Sequence, residues 1–165
     1  MSSEINKLVL EHALDGLYAH VLPSRVVEAL TVELASKKAE GFPHTIFQLI
    51  CHMIYWQDIF LNDVFKVDYK KPEHASEGWE ATPAPADEKE LEQTIAKFLK
   101  GIVDAKQFVK IIDENSRTIK VGEKNFDVYD VLHSLASHNS YHLGQVVMLR
   151  HQFGAWPPPS GGMTW

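Results

Sequence analysis

Apolar residues recur at helical spacing in four stretches of the chain, and polar, proline- or glycine-bearing segments separate them. Residues 4–19 form the first pattern: Ile5, Leu8, Val9, His12, Ala13 and Gly16 fall on one stripe, with Glu4, Lys7, Glu11 and Asp15 off it. Pro23 ends or follows that helix. Ser24 can cap a short turn reaching Leu30, and Thr31 another reaching Ser36, before the break at Gly41, Phe42 and Pro43. Residues 44–66 carry a wide apolar surface, from Ile46 to Phe65, behind a capping Thr45. Such a surface faces two neighbours at once, as inside a bundle. Asp87 can cap a third helix running to about Glu114, with Leu91, Ile95, Phe98, Leu99, Ile102 and Phe108 inward. Asp127 can cap a fourth over residues 128–151, and Gly154 stops it.

The links carry fewer signals. Residues 67–86, with Pro72, Pro83 and Pro85, form a long connection that is either a lid or binding loop or a surface crossover, the crossover weighing more. Residues 117–127 alternate loosely around Gly122, as a short β-hairpin or an extended link. The tail from Ala155 to Trp165, with three consecutive prolines, is extended. Trp156 and Trp165 either fold back over a functional mouth, mediate a dimer, or pack outside the helices, the last being favoured. Four long helices with two long connections predict an all-α chain, a four-helix bundle forming a single domain over residues 1–165.

Composition narrows the function classes. The hydrophobic share of 45% and charged share of 23% are those of a folded soluble domain. The net charge of −6 and the lack of a dense Lys/Arg cluster argue against nucleic acid and against an anionic membrane surface. The first residues form neither a signal nor a transit peptide, and no apolar run reaches the ~18 residues of a spanning helix. With Cys51 as the one cysteine, the expectation is a cytoplasmic protein in a reducing compartment.

The chemistry lies in the histidines. Within LHSLASHNSYHLGQ, His138 and His142 are four residues apart, about 40° around a helix axis, on the same stripe as Val131, Leu135, Gln145 and Leu149. Two imidazoles so placed can share one metal ion. His133 stands about 140° from His138 and is excluded. His52 lies among Leu49, Trp56 and Ile59 and is the best third ligand. A lone inward histidine is more often a hydrogen-bonded core residue, but three with this placement favour a divalent ion. Three neutral imidazoles suit Zn²⁺, Ni²⁺, Co²⁺ or Fe²⁺ and leave positions for water, thiol or substrate.

The neighbours are weighed the same way. Cys51, about 100° from His52, reads as a packing residue. Asn139 and Tyr141 pack or hydrogen-bond across the bundle, Gln145 holds a metal-bound water or is a satisfied core amide, and Trp56 lines the site or the core. Asp58 faces elsewhere, and Asp63 is about 16 Å along the helix. For His12 and His44 a solvent-facing or capping role is favoured.

The segments HTIFQLICHMIYWQDIFL, SHNSYHLGQVVMLR and WPPPSGGMTW, in this order and spacing, resemble the DinB-like (damage-inducible, YfiT-like) metalloenzyme family, with HNSYHLGQ the most specific box. The resemblance implies an up-down-down-up four-helix bundle, frequently a homodimer, and a divalent metal held by His52, His138 and His142. It further implies a small-molecule substrate and, in some relatives, a transferase or isomerase using a low-molecular-weight thiol. A thiol S-transferase-like or hydrolase-like enzyme on zinc or nickel is the leading expectation. The alternative is a non-catalytic metal-binding stress-response or interaction protein.

Overall fold

In a computed structural model, which describes residues 2–113, 118–121 and 124–163, the chain is built mainly of helices, as the hydrophobic pattern predicts. Four are long or moderately long: α1 (Ser2–Asp15), α4 (Ile46–Phe65), α5 (Glu88–Ile111) and α6 (Val128–Gln152). Two short helices, α2 (Pro23–Val26) and α3 (Val32–Ser36), fill the connection after α1. The hairpin alternative holds before α6, where β1 (Thr118–Val121) pairs antiparallel with β2 (Lys124–Asp127). Gly122, on which that reading pivots, is outside the described residues.

Local chemistry explains most boundaries. Thr45, Asp87 and Asp127 cap α4, α5 and α6 through side-chain oxygens that accept backbone N–H groups, and Thr31 does so for α3. At α4 the cap is reciprocal, because the Gln48 side chain accepts from the Thr45 backbone N–H. Two boundaries differ from the pattern. The first helix ends at Asp15, not near residue 19, because Gly16 turns to φ +69 and Leu17 N–H closes back on His12 O. The turn expected from Ser24 is instead opened by Leu22 with Pro23 at the first helical position, where its missing N–H costs nothing.

Helix α1 packs on α5 and α6, and α4 packs on the same two, so α1 and α4 lie across the bundle from each other. Helices α4 and α5 advance in the same sense: Asp58 pairs with Lys97, and about two to three turns on Phe65 meets Phe108 edge to face. Helix α6 runs against α4, for His52 meets His142 while Gln57 meets Asn139.

Two apolar clusters form the interior. One gathers α2, α3, the first half of α4, Leu91, Phe98 and Ile102 of α5, and the last turns of α6. The other gathers α1, Leu61 and Val64, the last part of α5, Ile119 of β1 and the first turns of α6. Between them on α4 and α6 lies a polar stratum. Gln57 and Asn139 are 1% and 2% exposed, and the Asn139 amide donates to Gln57 Oε1 at 3.2 Å while Gln57 donates to Phe98 O at 3.1 Å. Gly101 makes room: a Cβ there would sit 1.8 Å from Gln57 Nε2. Unpaired, these amides would cost a few kcal/mol; their bonds to each other and to a carbonyl offset part of that cost.

The described part of the tail packs on the outside of the bundle, as favoured. The Trp156 ring lies against the Arg150 guanidinium, and Ser160 bonds Glu28. Trp165 lies outside the described residues. Arg150, buried, donates to Val26 O, Glu28 O and Ala155 O, joining α6 to α2 and to the tail. Removing a donor that serves three carbonyls should be costly. The substitution Arg150→Met is expected to lower stability by about 2–3 kcal/mol in urea unfolding. A change within about 0.5 kcal/mol would show that water satisfies those carbonyls.

Candidate metal centre

The polar stratum leads directly to three imidazoles. His52 is on the α4 face toward α6, and His138 and His142 stand one turn apart on α6. His52 and His142 are 5% and 6% exposed, and His138 is half-buried. One ligand atom from each lies within 4.8 Å of the others. The Nε2 atoms of His52 and His138 are 3.2 Å apart. Ligand nitrogens about 2.0 Å from a tetrahedral ion are separated by about 3.3 Å, so this pair stands at chelating distance.

Proton positions decide what such a pair can do. His52 Nδ1 is 2.9 Å from Gly78 O. A carbonyl only accepts, so Nδ1 carries the proton and Nε2 keeps its lone pair. His142 Nδ1 donates to Gln145 Oε1 at 2.8 Å, which frees its Nε2 in the same way. Gln145 thus orients a histidine, a role different from both alternatives weighed on sequence. His138 Nδ1 has no hydrogen-bond partner, nor does Oδ1 of the adjacent Asn139. The Asn139 side chain offsets a small part of the penalty that burial places on the charged His138 ring. With Nδ1 protonated on His52 and His142, two bare Nε2 lone pairs turn toward His138 in one buried place. Nitrogens at this range are bridged by a proton or by a cation, so the donor set fits a divalent ion that takes the proton's place.

Burial keeps the rings neutral. It depresses the His138 pKa to about 4, helped by His142 and His52. Burial also lowers His52 and His142, partly offset by the hydrogen bonds their Nδ1–H groups donate to Gly78 O and Gln145 Oε1. Neutral imidazole is the form that ligates.

The connection between α4 and α5 reaches this site, against the favoured reading of a plain crossover. A stripe on α4 binds it carbonyl by carbonyl: Thr45 Oγ1 donates to Pro83 O, the Gln48 amide to Glu80 O, and His52 Nδ1–H to Gly78 O. The 3₁₀ turn Ala75–Gly78 ends in a residue that must be glycine, since a Cβ would stand 2.7 Å from Trp56 Nε1 and 3.3 Å from His52 Nδ1. Trp79 is then laid flat between two imidazoles, its ring 3.7 Å from His52 and 3.6 Å from His44, both within 8° of parallel. His44 is therefore a stacking partner of the site and not a solvent-facing group. The tryptophan in an otherwise polar SEGWEATP segment was the one trace of this in the sequence.

The remaining candidates sort by direction. Trp56 stands 6.4 Å from both His52 and His138, ring to ring, and walls the site. Asn139 bonds across the bundle, whereas Tyr141 is exposed and only its ring edge meets His142. Cys51 faces the α4–α5 groove with Tyr55 and Lys97, where burial pushes its thiol up to about 12. It is a packing residue without thiolate character. Asp58 is paired with Lys97, Asp63 with Lys71 and the Tyr69 hydroxyl, and His133 is exposed. A surface depression of about 530 Å³ at the end of α4 has the paired Asp63 and Lys71 in its wall and no imidazole among the described residues that line it. The site is identified by donor geometry and not by cavity size.

A family model described as the DinB superfamily matches residues 22–146, which include all three histidines, and the chain belongs to that superfamily. Comparison with curated proteins and with solved structures found no match.

The depressed His138 pKa fixes a sign. Between the folded value of about 4 and the ordinary 6.5, the unfolded chain holds more protons than the folded one, so acid favours unfolding. In chelator, the wild type should lose stability relative to His138→Gln as pH falls from about 6.5 to about 4, with no further relative loss below that. Thermal unfolding of both proteins across this range checks it. A difference independent of pH would contradict the neutral, buried assignment.

Proposed function

We propose that this member of the DinB superfamily is a metal-dependent enzyme, in which His52, His138 and His142 hold one divalent ion, zinc or nickel, beside a small-molecule substrate. The observation that carries the reading is the convergence of three imidazoles, two of which turn their Nδ1 protons outward to Gly78 and Gln145. An ion so held keeps one or more positions open, where a low-molecular-weight thiol or a water would lose its proton more easily.

The surrounding residues each have a part in this reading. The Gly78 carbonyl and Gln145 amide fix two rings and raise their basicity, as outer partners of metal-bound histidines do. Trp79 covers the His52 ring and Trp56 walls the other side, which keeps water scarce and interactions with charge strong. His138, the most exposed of the three, marks the side from which a substrate would approach. No described carboxylate stands in the cluster, so the proton of a bound thiol or water would leave to solvent or to the substrate.

Purified protein is expected to contain about one transition-metal ion per chain, and His142→Ala to lose it while keeping its helical circular dichroism. Metal-loaded wild type should accelerate addition of a low-molecular-weight thiol to an electrophile at least about tenfold over the His142→Ala protein. Equal metal content in both proteins would overturn the ligand assignment. Bound metal without acceleration of thiol transfer or of hydrolysis would favour the non-catalytic metal-binding alternative.

A further inference from the structure

The α4–α6 seam does not end at the imidazoles. Because the helices run in opposite senses, His52, Trp56, Phe60 and Asp63 descend one side while His142, His138, Ser134 and Asp130 descend the other. Trp56 stands 6.4 Å from His138 and 6.4 Å from Phe60, ring to ring, so an aromatic wall leads away from the most exposed histidine. Farther along the same seam, beginning at Phe60, is a cavity of about 340 Å³ lined by Phe60, Asp63, Phe126, Asp130, Val131 and Ser134. The volume is that of a small-ligand pocket, at the low end of the usual range. Its walls differ from those of the other depressions: two phenylalanines and a valine form the body, and carboxylates stand at the end remote from the imidazoles. Eight residues of helix separate His52 from Phe60, about 12 Å of rise. A molecule spanning from the cluster to the pocket is therefore small and elongated.

Charge narrows the class. Asp63 is already bonded to Tyr69 and paired with Lys71, which leaves Asp130, exposed in the first turn of α6, as the group that meets a ligand's end. No lysine or arginine is among the described residues that line this cavity. An anionic end group would find repulsion there, and a cationic one would find attraction.

We propose that this groove binds the body of the substrate: an aromatic or short-alkyl amine whose ammonium lies at Asp130 and whose other end reaches the three imidazoles. The proposal rests on the metal-centre reading for what happens at that other end, but the groove itself includes no histidine and is tested apart from it.

The test is a titration of the full chain, metal-loaded and chelator-treated, with phenethylamine, 2-phenylethanol and phenylacetate, followed by backbone amide NMR. Metal content is measured on the same samples. Phenethylamine should give saturable shifts centred on Phe60, Phe126 and Ser134. The neutral alcohol should bind about fivefold more weakly and phenylacetate more weakly still, as expected for one solvent-exposed charge pair. Asp130→Asn should remove the preference for the amine over the alcohol. Ser134→Phe, an exposed position whose new ring fills the groove, should abolish the shifts while leaving metal content unchanged. The absence of saturable shifts with wild type, shifts that survive Ser134→Phe, or phenylacetate binding as tightly as the amine would overturn the proposal. A chain that takes up no metal even in the loaded sample, yet binds the amine in the groove, would overturn the metal reading alone.

Discussion

Two imidazole nitrogens facing each other at 3.2 Å inside a helical bundle, that of His52 left bare because its other nitrogen donates outward, set the main constraint on this structure. An apolar core gains roughly 25 cal/mol for each Å² it buries, and it gains nothing from such a cluster. The chain accommodates it by dividing the core. Aliphatic packing above and below is carried by two separate clusters, and the layer between them is given to Gln57, Asn139 and the histidines, with Gly101 cut back to let Gln57 in. The polar layer places the chemistry at the middle of the seam, where two long helices hold it rigidly.

The same constraint accounts for the connection between α4 and α5. It is bound to the opening turns of α4 by three hydrogen bonds that lie on one helical stripe, and the last of these orients His52. A segment without helix or strand is thereby as much part of the site as the helices. It supplies the carbonyl that fixes a tautomer, the glycine that allows close approach, and the indole that covers the ring. Loops that carry function on a rigid scaffold commonly work in this way.

What the sequence makes legible follows from the range of the forces involved. Thr45, Asp87 and Asp127 are readable as caps because the oxygen and the N–H groups it serves are two or three residues apart. His138 and His142 are readable as a pair because helical geometry alone brings them together, and the inward direction of His52 follows from its apolar neighbours. Gly78, Trp79 and His44 were not readable, since their meeting depends on where a 20-residue connection settles on another element. Arg150 belongs with them: its three carbonyl partners lie on α2, just after it and in the tail, and nothing near it in sequence announces them. The premature end of α1 is a local failure of a different kind, because Gly16 falls on the apolar stripe and yet adopts the left-handed conformation that stops the helix.

X-ray absorption spectroscopy of the zinc-loaded chain counts ligands by element and distance, and so bears most directly on the claim that three imidazoles converge on one ion. The account predicts three imidazole nitrogens at about 2.0 Å with one or two further light-atom ligands from solvent, and the loss of one imidazole when His52 is replaced by alanine. A shell containing sulfur from Cys51, a closed set of four protein ligands, or a spectrum unchanged by the replacement would contradict it.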